Sequence, residues 1–398
     1  MTELQRIPGR RLLHSPGPTP LPDAVLHAMS VQPMDMGDPR LDANIAACEE
    51  GLKRLLHSTD ADVFFFAANG HGVWESVVQN LAAPGQALLV PGTGHFSEQW
   101  AMQAEALGAR VVRTPWREGW PIDPAAVEQA LRDDKAHSIK AVLAVHTDTS
   151  SGVTSPIEAM RAAIDNARHP ALLVADVVAT LGAAPFEMDA LGADVALGAS
   201  QKGLMCPPGV GILAVNARAF AAAERNPAPR FYWDWVRRRA DLSYRKFCGT
   251  PPQNLMFGLQ AALGLILREG VAAVHARHVL VASLVQAAVE GWREGGAVDF
   301  FAREAASRSV SVTTIAVNGV DVEALRTLAR ERFQVAIAGG LGPLAGRAFR
   351  IGHLGDTNPA SILGAIGGVE AALVALGVNV GGGGTRRAVL RLANSASA

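Results

Sequence analysis

Cysteine is scarce: Cys48, Cys206 and Cys248 are the only three in 398 residues. Three so widely spaced exclude a disulfide framework and any CxxC metal pattern, so no metal site is expected. They suit a reducing compartment, and a cytoplasmic protein is the expectation. Charge of one sign is also lacking, since 36 Lys and Arg face 37 Asp and Glu for a net charge of −1. Such a balance gives neither the basic excess of a general nucleic-acid binder nor an acidic interaction tail. No run of 18 or more apolar residues occurs, and Met1-Thr2-Glu3-Leu4-Gln5-Arg6 lacks the apolar core of a signal peptide, so neither a membrane nor a nucleic-acid partner is expected. What is abundant is apolar surface: 49% of residues are hydrophobic and only 18% charged, which excludes a disordered chain. The length allows two or three domains.

The first 22 residues carry Pro8, Pro16, Pro18, Pro20 and Pro22. Proline at this density forbids a regular helix and predicts an extended arm laid over something else. Beyond residue 60, apolar runs at 63–66, 86–90, 110–113, 139–145, 171–175, 195–199 and 211–215 alternate with amphipathic stretches at 73–81, 98–107, 124–132 and 157–167. Continuous apolar strands separated by helices of 10–15 residues predict a mostly parallel sheet covered on both faces. The expected plan is an arm over 1–22, a large α/β domain over 23–255, linking helices over 256–294 and a smaller α+β domain over 295–398. The Gly- and Ala-rich tail, 381–384 and 395–398, is expected to fray.

In open parallel sheets, ligands sit outside the carboxyl ends of the strands, so the polar residues there are the candidates. Four clusters stand out. Asn69-Gly70-His71-Gly72 opens a helix, whose free N–H groups and partial positive charge suit a phosphate. His146-Thr147-Asp148-Thr149-Ser150-Ser151-Gly152 brings hydroxyls to a second strand end. Asp176 ends a buried strand, where a carboxylate is costly unless a cation or donor meets it. Lys202, in Ser200-Gln201-Lys202-Gly203, follows the next strand among small residues that favour a depressed pKa and a nucleophilic amine. Each has a bland alternative: an N-cap for Asn69 or Asp176, a Ser/Thr turn, a lysine reaching the rim. A carboxylate to hold a protonated pyridine nitrogen and a Schiff-base lysine are together what pyridoxal phosphate chemistry needs.

These clusters, with Pro16-Gly17-Pro18-Thr19, Thr250-Pro251-Pro252 and Phe349-Arg350-Ile351-Gly352-His353, resemble the class V aminotransferases of PLP fold type I, in the serine–glyoxylate and alanine–glyoxylate branch. Seven motifs match in order over nearly the whole chain. The resemblance implies pyridoxal 5'-phosphate as cofactor and transfer of an amino group from serine, alanine or aspartate to a 2-oxo acid such as glyoxylate or pyruvate. It makes Lys202 the Schiff-base and proton-shuttling lysine and Asp176 the partner of the ring nitrogen. Val178 and Phe96 would lie on the two ring faces, and Thr149 near the ring hydroxyl. Asn69, Gly70, His71 and Gln201 would hold the phosphate, together with Thr250 from a neighbouring subunit, which implies a homodimer with shared sites. Arg350 would fork onto the substrate carboxylate, a task suited to planar guanidinium donors.

Three positions depart from the family's pattern. Met36-Gly37-Asp38-Pro39 replaces a His-Arg-Ser stretch, Gly249 after Cys248 replaces a tyrosine, and Asn69 replaces a serine. The first two point to a roomier substrate side and admit a bulkier amino donor. Two alternatives remain: a lyase of the same fold, desulfurase- or kynureninase-like, for which Cys248 is the available thiol, and a non-catalytic PLP-fold module.

Overall fold

The computed structural model describes residues 9–395. The sequence expectations for 1–8 and 396–398 lie outside the described residues.

The arm holds a short strand β1 (Leu12–Leu13), followed by α1 (Asp23–Met29) and α2 (Pro39–Leu55). Then come β2 (Asp62–Phe66), α3 (Gly70–Leu81), β3 (Ala87–Pro91), α4 (His95–Ala106), β4 (Arg110–Thr114), α5 (Pro124–Asp133) and β5 (Ile139–Val145). A small hairpin, β6 (Thr147–Asp148) and β7 (Val153–Thr154), precedes α6 (Ile157–Asn166), β8 (Leu172–Asp176), β9 (Val195–Ala199) and β10 (Gly211–Val215). Helices α7 (Ala217–Arg225), α8 (Trp235–Arg238), α9 (Ser243–Lys246), α10 (Gln253–Glu269) and α11 (Val271–Trp292) lead to the second sheet. That part contains β11 (Val298–Phe300), β12 (Val312–Val317), α12 (Val322–Arg332), β13 (Val335–Ala336), β14 (Ala338–Gly339), β15 (Ala348–Gly352), α13 (Pro359–Ala375) and α14 (Gly384–Ser395).

The main sheet runs β2-β10-β9-β8-β5-β3-β4, and every pairing is parallel except those of β10. The reason lies in the connection: residues 200–210 between β9 and β10 contain no crossover helix, and a parallel return needs one. Side-chain alternation divides the apolar residues between two cores. Val142 and Ala144 of β5 face one with α2, α5, α6 and α10, while Ala141, Leu143 and Val145 face the other with α3, α4 and α7. The smaller sheet, β11-β12-β15-β14, is antiparallel. Phe349 and Ile351 of β15 pack into its core with α11, α12 and α13. Period two therefore turns Arg350 to the opposite face, where the large domain lies.

The boundary expected at 255 falls within α10, which packs on α1 and α2. Helix α11 is long and apolar enough to cross a bilayer by composition, but Val281, Leu284, Val285, Ala288 and Trp292 are core residues of the small domain. The tail departs from the expectation of fraying. A Cβ on Gly384 would collide with Trp292 and the Ala288 carbonyl, one on Gly291 would collide with the 383–384 backbone, and α14 lies along α11. The arm is as extended as expected: β1 pairs in parallel with β13, and Gly352 N–H donates to the His14 carbonyl at 2.6 Å.

Where arm, α11 and β15 meet, His278 and His353 are fully buried. His278 is bonded to the Val274 carbonyl and receives Gly355 N–H, and His353 is bonded to Thr313 and the Val310 carbonyl. Burial pushes their pKa values down to about 4 and about 3. Both groups bind protons in the unfolded chain at 6.5 and in the folded chain only lower, so their stabilisation is complete above pH 6.5 and is lost as pH falls. Each should cost about 1.4 kcal/mol per pH unit across that window. Urea unfolding at pH 6.5 and pH 5 is expected to show this loss, and His278→Gln should remove about 2 kcal/mol of it. An unchanged slope in the variant would show that His278 is not the titrating group.

Candidate active site

At the carboxyl ends of β5, β8 and β9, a cavity of about 310 Å³ is lined by Asn69, Gly70, His71, Phe96, Thr149, Asp176, Val178, Gln201 and Lys202. Gly17, Pro18, Trp74 and Thr147 complete much of the wall. Residues separated by well over a hundred positions thus meet because each follows a strand of one sheet.

Asp176 ends β8 in full burial, pushed up to about 6 chiefly by desolvation. Two donors hold its carboxylate: the Trp74 indole N–H to Oδ2 at 2.7 Å and the Val178 N–H to Oδ1 at 2.8 Å. Among the described residues it forms no salt bridge. A buried carboxylate with its donors in place and no cation against it fits the ring nitrogen of pyridoxal 5'-phosphate, whose proton would supply that cation. Lys202 is pulled down to about 8 by burial first and by the Arg350 charge second. Its Nζ donates to the Pro16 carbonyl, its own carbonyl receives the Thr19 hydroxyl at 3.0 Å, and Thr19 N–H reaches the Gln201 carbonyl at 3.3 Å. The arm therefore straps the lysine. At Gly17, with φ +113°, a Cβ would stand 2.6–2.7 Å from three Lys202 side-chain atoms, so only glycine fits.

The phosphate side is equally consistent. Asn69 caps α3 by accepting Gly72 N–H at 3.3 Å, so the bland reading of this residue is also correct. The other N-terminal donors of α3 remain for an anion. Gln201 lines the same wall, where its amide NH2 is the donor suited to an anion and its buried Oε1 is left without a partner. The ring side is aromatic: Phe96 and His71 both pack on Trp74, which stacks on Trp100 at 5.4 Å.

Arg350, 6% exposed, is clamped by carbonyls: Nε donates to Gly339 at 2.7 Å and Nη1 to Thr149 at 2.8 Å. Nη2 makes no hydrogen bond among the described residues and Nη1 keeps a second N–H, so three of the five donors stay unpaired, while Arg350 itself stands behind Thr149 rather than in the cavity wall. Burial lowers Arg350 to about 10. Thr250 is exposed and does not line this cavity. Cys248 lines a different pocket with Phe231, Arg237, Tyr244 and Arg245. Of the departing residues, Met36 packs beside Gln253, Asp38 caps α2, and a Cβ at Gly249 would meet nothing within 4 Å. Trp74 was not foreseen. Its position one helical turn inside the phosphate-loop helix, on the same side as Gly70, was the available signal.

The fold and this cavity define a pyridoxal-phosphate-dependent transaminase of fold type I. The class-V aminotransferase family model spans residues 11–344. Serine–glyoxylate aminotransferase of Methylorubrum extorquens is 40% identical over 381 residues, covering 94% of both chains. L-aspartate–glyoxylate aminotransferase of Paracoccus denitrificans is 38% identical over 92% of this chain and 91% of its own. Among solved structures, ureidoglycine–glyoxylate aminotransferase from Bacillus subtilis superposes with a TM-score of 0.89 at 24% identity, over 98% of this chain and 100% of that one. Pyridoxamine–pyruvate aminotransferase from Mesorhizobium loti gives 0.87 at 26% identity, over 98% of each chain. The chain belongs to the class-V aminotransferase family, and pyridoxal 5'-phosphate is its cofactor.

Two substitutions probe the cavity. Trp74→Phe keeps the ring stack but removes one of two donors to Asp176, a bond to a charged group worth about 1.5–3 kcal/mol. The acid limb of cofactor affinity should move up by at least one pH unit in a binding titration, and an unmoved limb would deny the bond that role. Gly17→Ala should lower the melting temperature and weaken the visible absorbance band formed with added pyridoxal 5'-phosphate, and a parental band would show that Lys202 does not need this strap.

Proposed function

We propose that this protein moves the amino group of a small amino acid to a 2-oxo acid, with glyoxylate the favoured acceptor, in two half-reactions at one cavity. The observation that carries the proposal is the placement of Lys202 and Asp176 at neighbouring strand ends, with Arg350 of the other domain clamped on Thr149 beside them. The printed activities of the two relatives, both glyoxylate aminotransferases, support the acceptor. When bound, the cofactor supplies an electron sink that makes the substrate Cα–H acidic.

This chain's residues do the rest. Lys202, with its pKa lowered, offers a neutral amine at mildly alkaline pH and can take the proton from Cα and return it elsewhere. Asp176, ionised against a ring cation, keeps the proton on the ring nitrogen. The first turn of α3 and Gln201 hold the phosphate, Val178 and Phe96 confine the ring, and Thr149 reaches its hydroxyl. The free Nη2 of Arg350 holds the substrate carboxylate, which fixes the Cα–H direction.

A cytoplasmic homodimer with shared sites completes the proposal. Thr250 stands outside its own chain's cavity, next to a segment where Phe231, Tyr232, Val236, Leu242 and Tyr244 are all exposed. Exposed apolar side chains gathered in this way suit burial against a second copy. A bulkier donor is supported by the sequence departure at Gly249 alone, since that residue does not line this chain's cavity. No observation favours a lyase, since Cys248 lies in another pocket.

The test adds single amino acids (serine, alanine, aspartate and bulkier donors) to holoenzyme without a keto acid. The visible band should be replaced by the pyridoxamine form with one donor and return on adding glyoxylate. Release of ammonia, sulfide or alanine without the pyridoxamine form would overturn transamination.

A further inference from the structure

We propose that Asp148 is a positioning residue that joins the ring side of the cavity to the substrate arginine, fixing where Arg350 stands relative to Lys202. The inference rests on the roles proposed above for those two residues.

Asp148 ends β6 and is fully buried. Its Oδ2 accepts the Thr93 hydroxyl at 3.0 Å and the Phe96 N–H at 3.2 Å. Its Oδ1 accepts the Ser150 N–H at 2.8 Å and the Ser150 hydroxyl. Ser150 Oγ in turn accepts His95 N–H at 3.1 Å. One carboxylate thus ties the first turn of α4, which places Phe96, to the turn that carries Thr149. The far side of that turn docks the small domain: Arg350 Nη1 donates to the Thr149 carbonyl, and the Thr314 hydroxyl donates to the Ser150 carbonyl at 3.2 Å. The space is closed to substitution, because a Cβ on Gly94 would come within 2.9 Å of Asp148 Oδ2. No salt bridge neutralises Asp148 among the described residues, and its charge favours the protonated forms of both Lys202 and Arg350. A residue that only capped α4 would need neither the link to Arg350 nor an unneutralised charge.

Asp148→Asn keeps the shape but turns one acceptor oxygen into an amide that faces donors, and removes the charge. Asp148→Glu keeps the charge and alters the placement. Holoenzymes of both are compared with the parent by melting temperature, by pH titration of the visible band, and by the affinity of 2-methylalanine. That ligand carries the carboxylate and amine but has no Cα–H, so its binding is read without turnover. The expected result is a dissociation constant raised at least tenfold in both variants, with the pH midpoint lowered by half a unit or more only in Asp148→Asn. Parental affinity and midpoint, with a changed melting temperature alone, would reduce Asp148 to a cap and overturn the proposal. An Asp148→Asn protein that does not fold leaves the affinity of Asp148→Glu to decide. Because 2-methylalanine binding is independent of transfer, a parent that binds it but yields no pyridoxamine form with any amino acid would sink the proposed function and leave this inference standing.

Discussion

A carboxylate kept from water at the end of β8 sets the terms for everything around it. Burying Asp176 without compensation would cost several kcal/mol, so the protein brings Trp74 from α3 and the amide of Val178 to its two oxygens. Those donors satisfy hydrogen bonding but not charge, and under the proposed function a cationic ring meets the remaining deficit. Trp74 must be held, so Trp100 stacks beneath it and His71 and Phe96 lean on it. The same helix that supplies the indole presents its amino end to the phosphate side. One electrostatic requirement thereby recruits a helix, an aromatic stack and an anion site together.

Much of this was legible in the sequence. The strand runs, the arm and the polar residues after β5, β8 and β9 appear where hydrophobic period and strand-end logic put them, and the candidates Asn69 to Lys202 converge on one cavity. The legible residues are those whose role depends on their own strand. Trp74 was not among them, because an aromatic residue at helical spacing looks like core until the partner across the sheet is known. The reversal of β10 was missed for a related reason: apolar runs do not carry strand direction, and the cue was the missing helix in residues 200–210. The packing of 381–384 is not legible because glycine reads as looseness, whereas Gly384 and Gly291 are small so that α14 can approach α11. The carbonyls that anchor Arg350 come from β14 and the 148–152 turn, and no local pattern announces them.

The division of labour between domains rests on strand alternation. Phe349 and Ile351 commit one face of β15 to the small core, so Arg350 belongs to the interface whatever else the sheet does. A guanidinium anchored to the backbone of the other domain is a weld between the two sheets, and under the proposed function it is also the group that meets the substrate's charge.

The arm has a consequence for biosynthesis. Its residues 12–19 touch β13, the end of β15 and Lys202, elements synthesised up to 338 residues later. At ordinary translation speeds the arm emerges about 15–60 s before its last docking strand exists. The lysine at the heart of the cavity is thus strapped by a segment made long before the strands that dock it. On the proposed role of Lys202, cofactor attachment becomes a report that synthesis has run past residue 352, and a chain truncated before that point lacks a strand on which the strap docks.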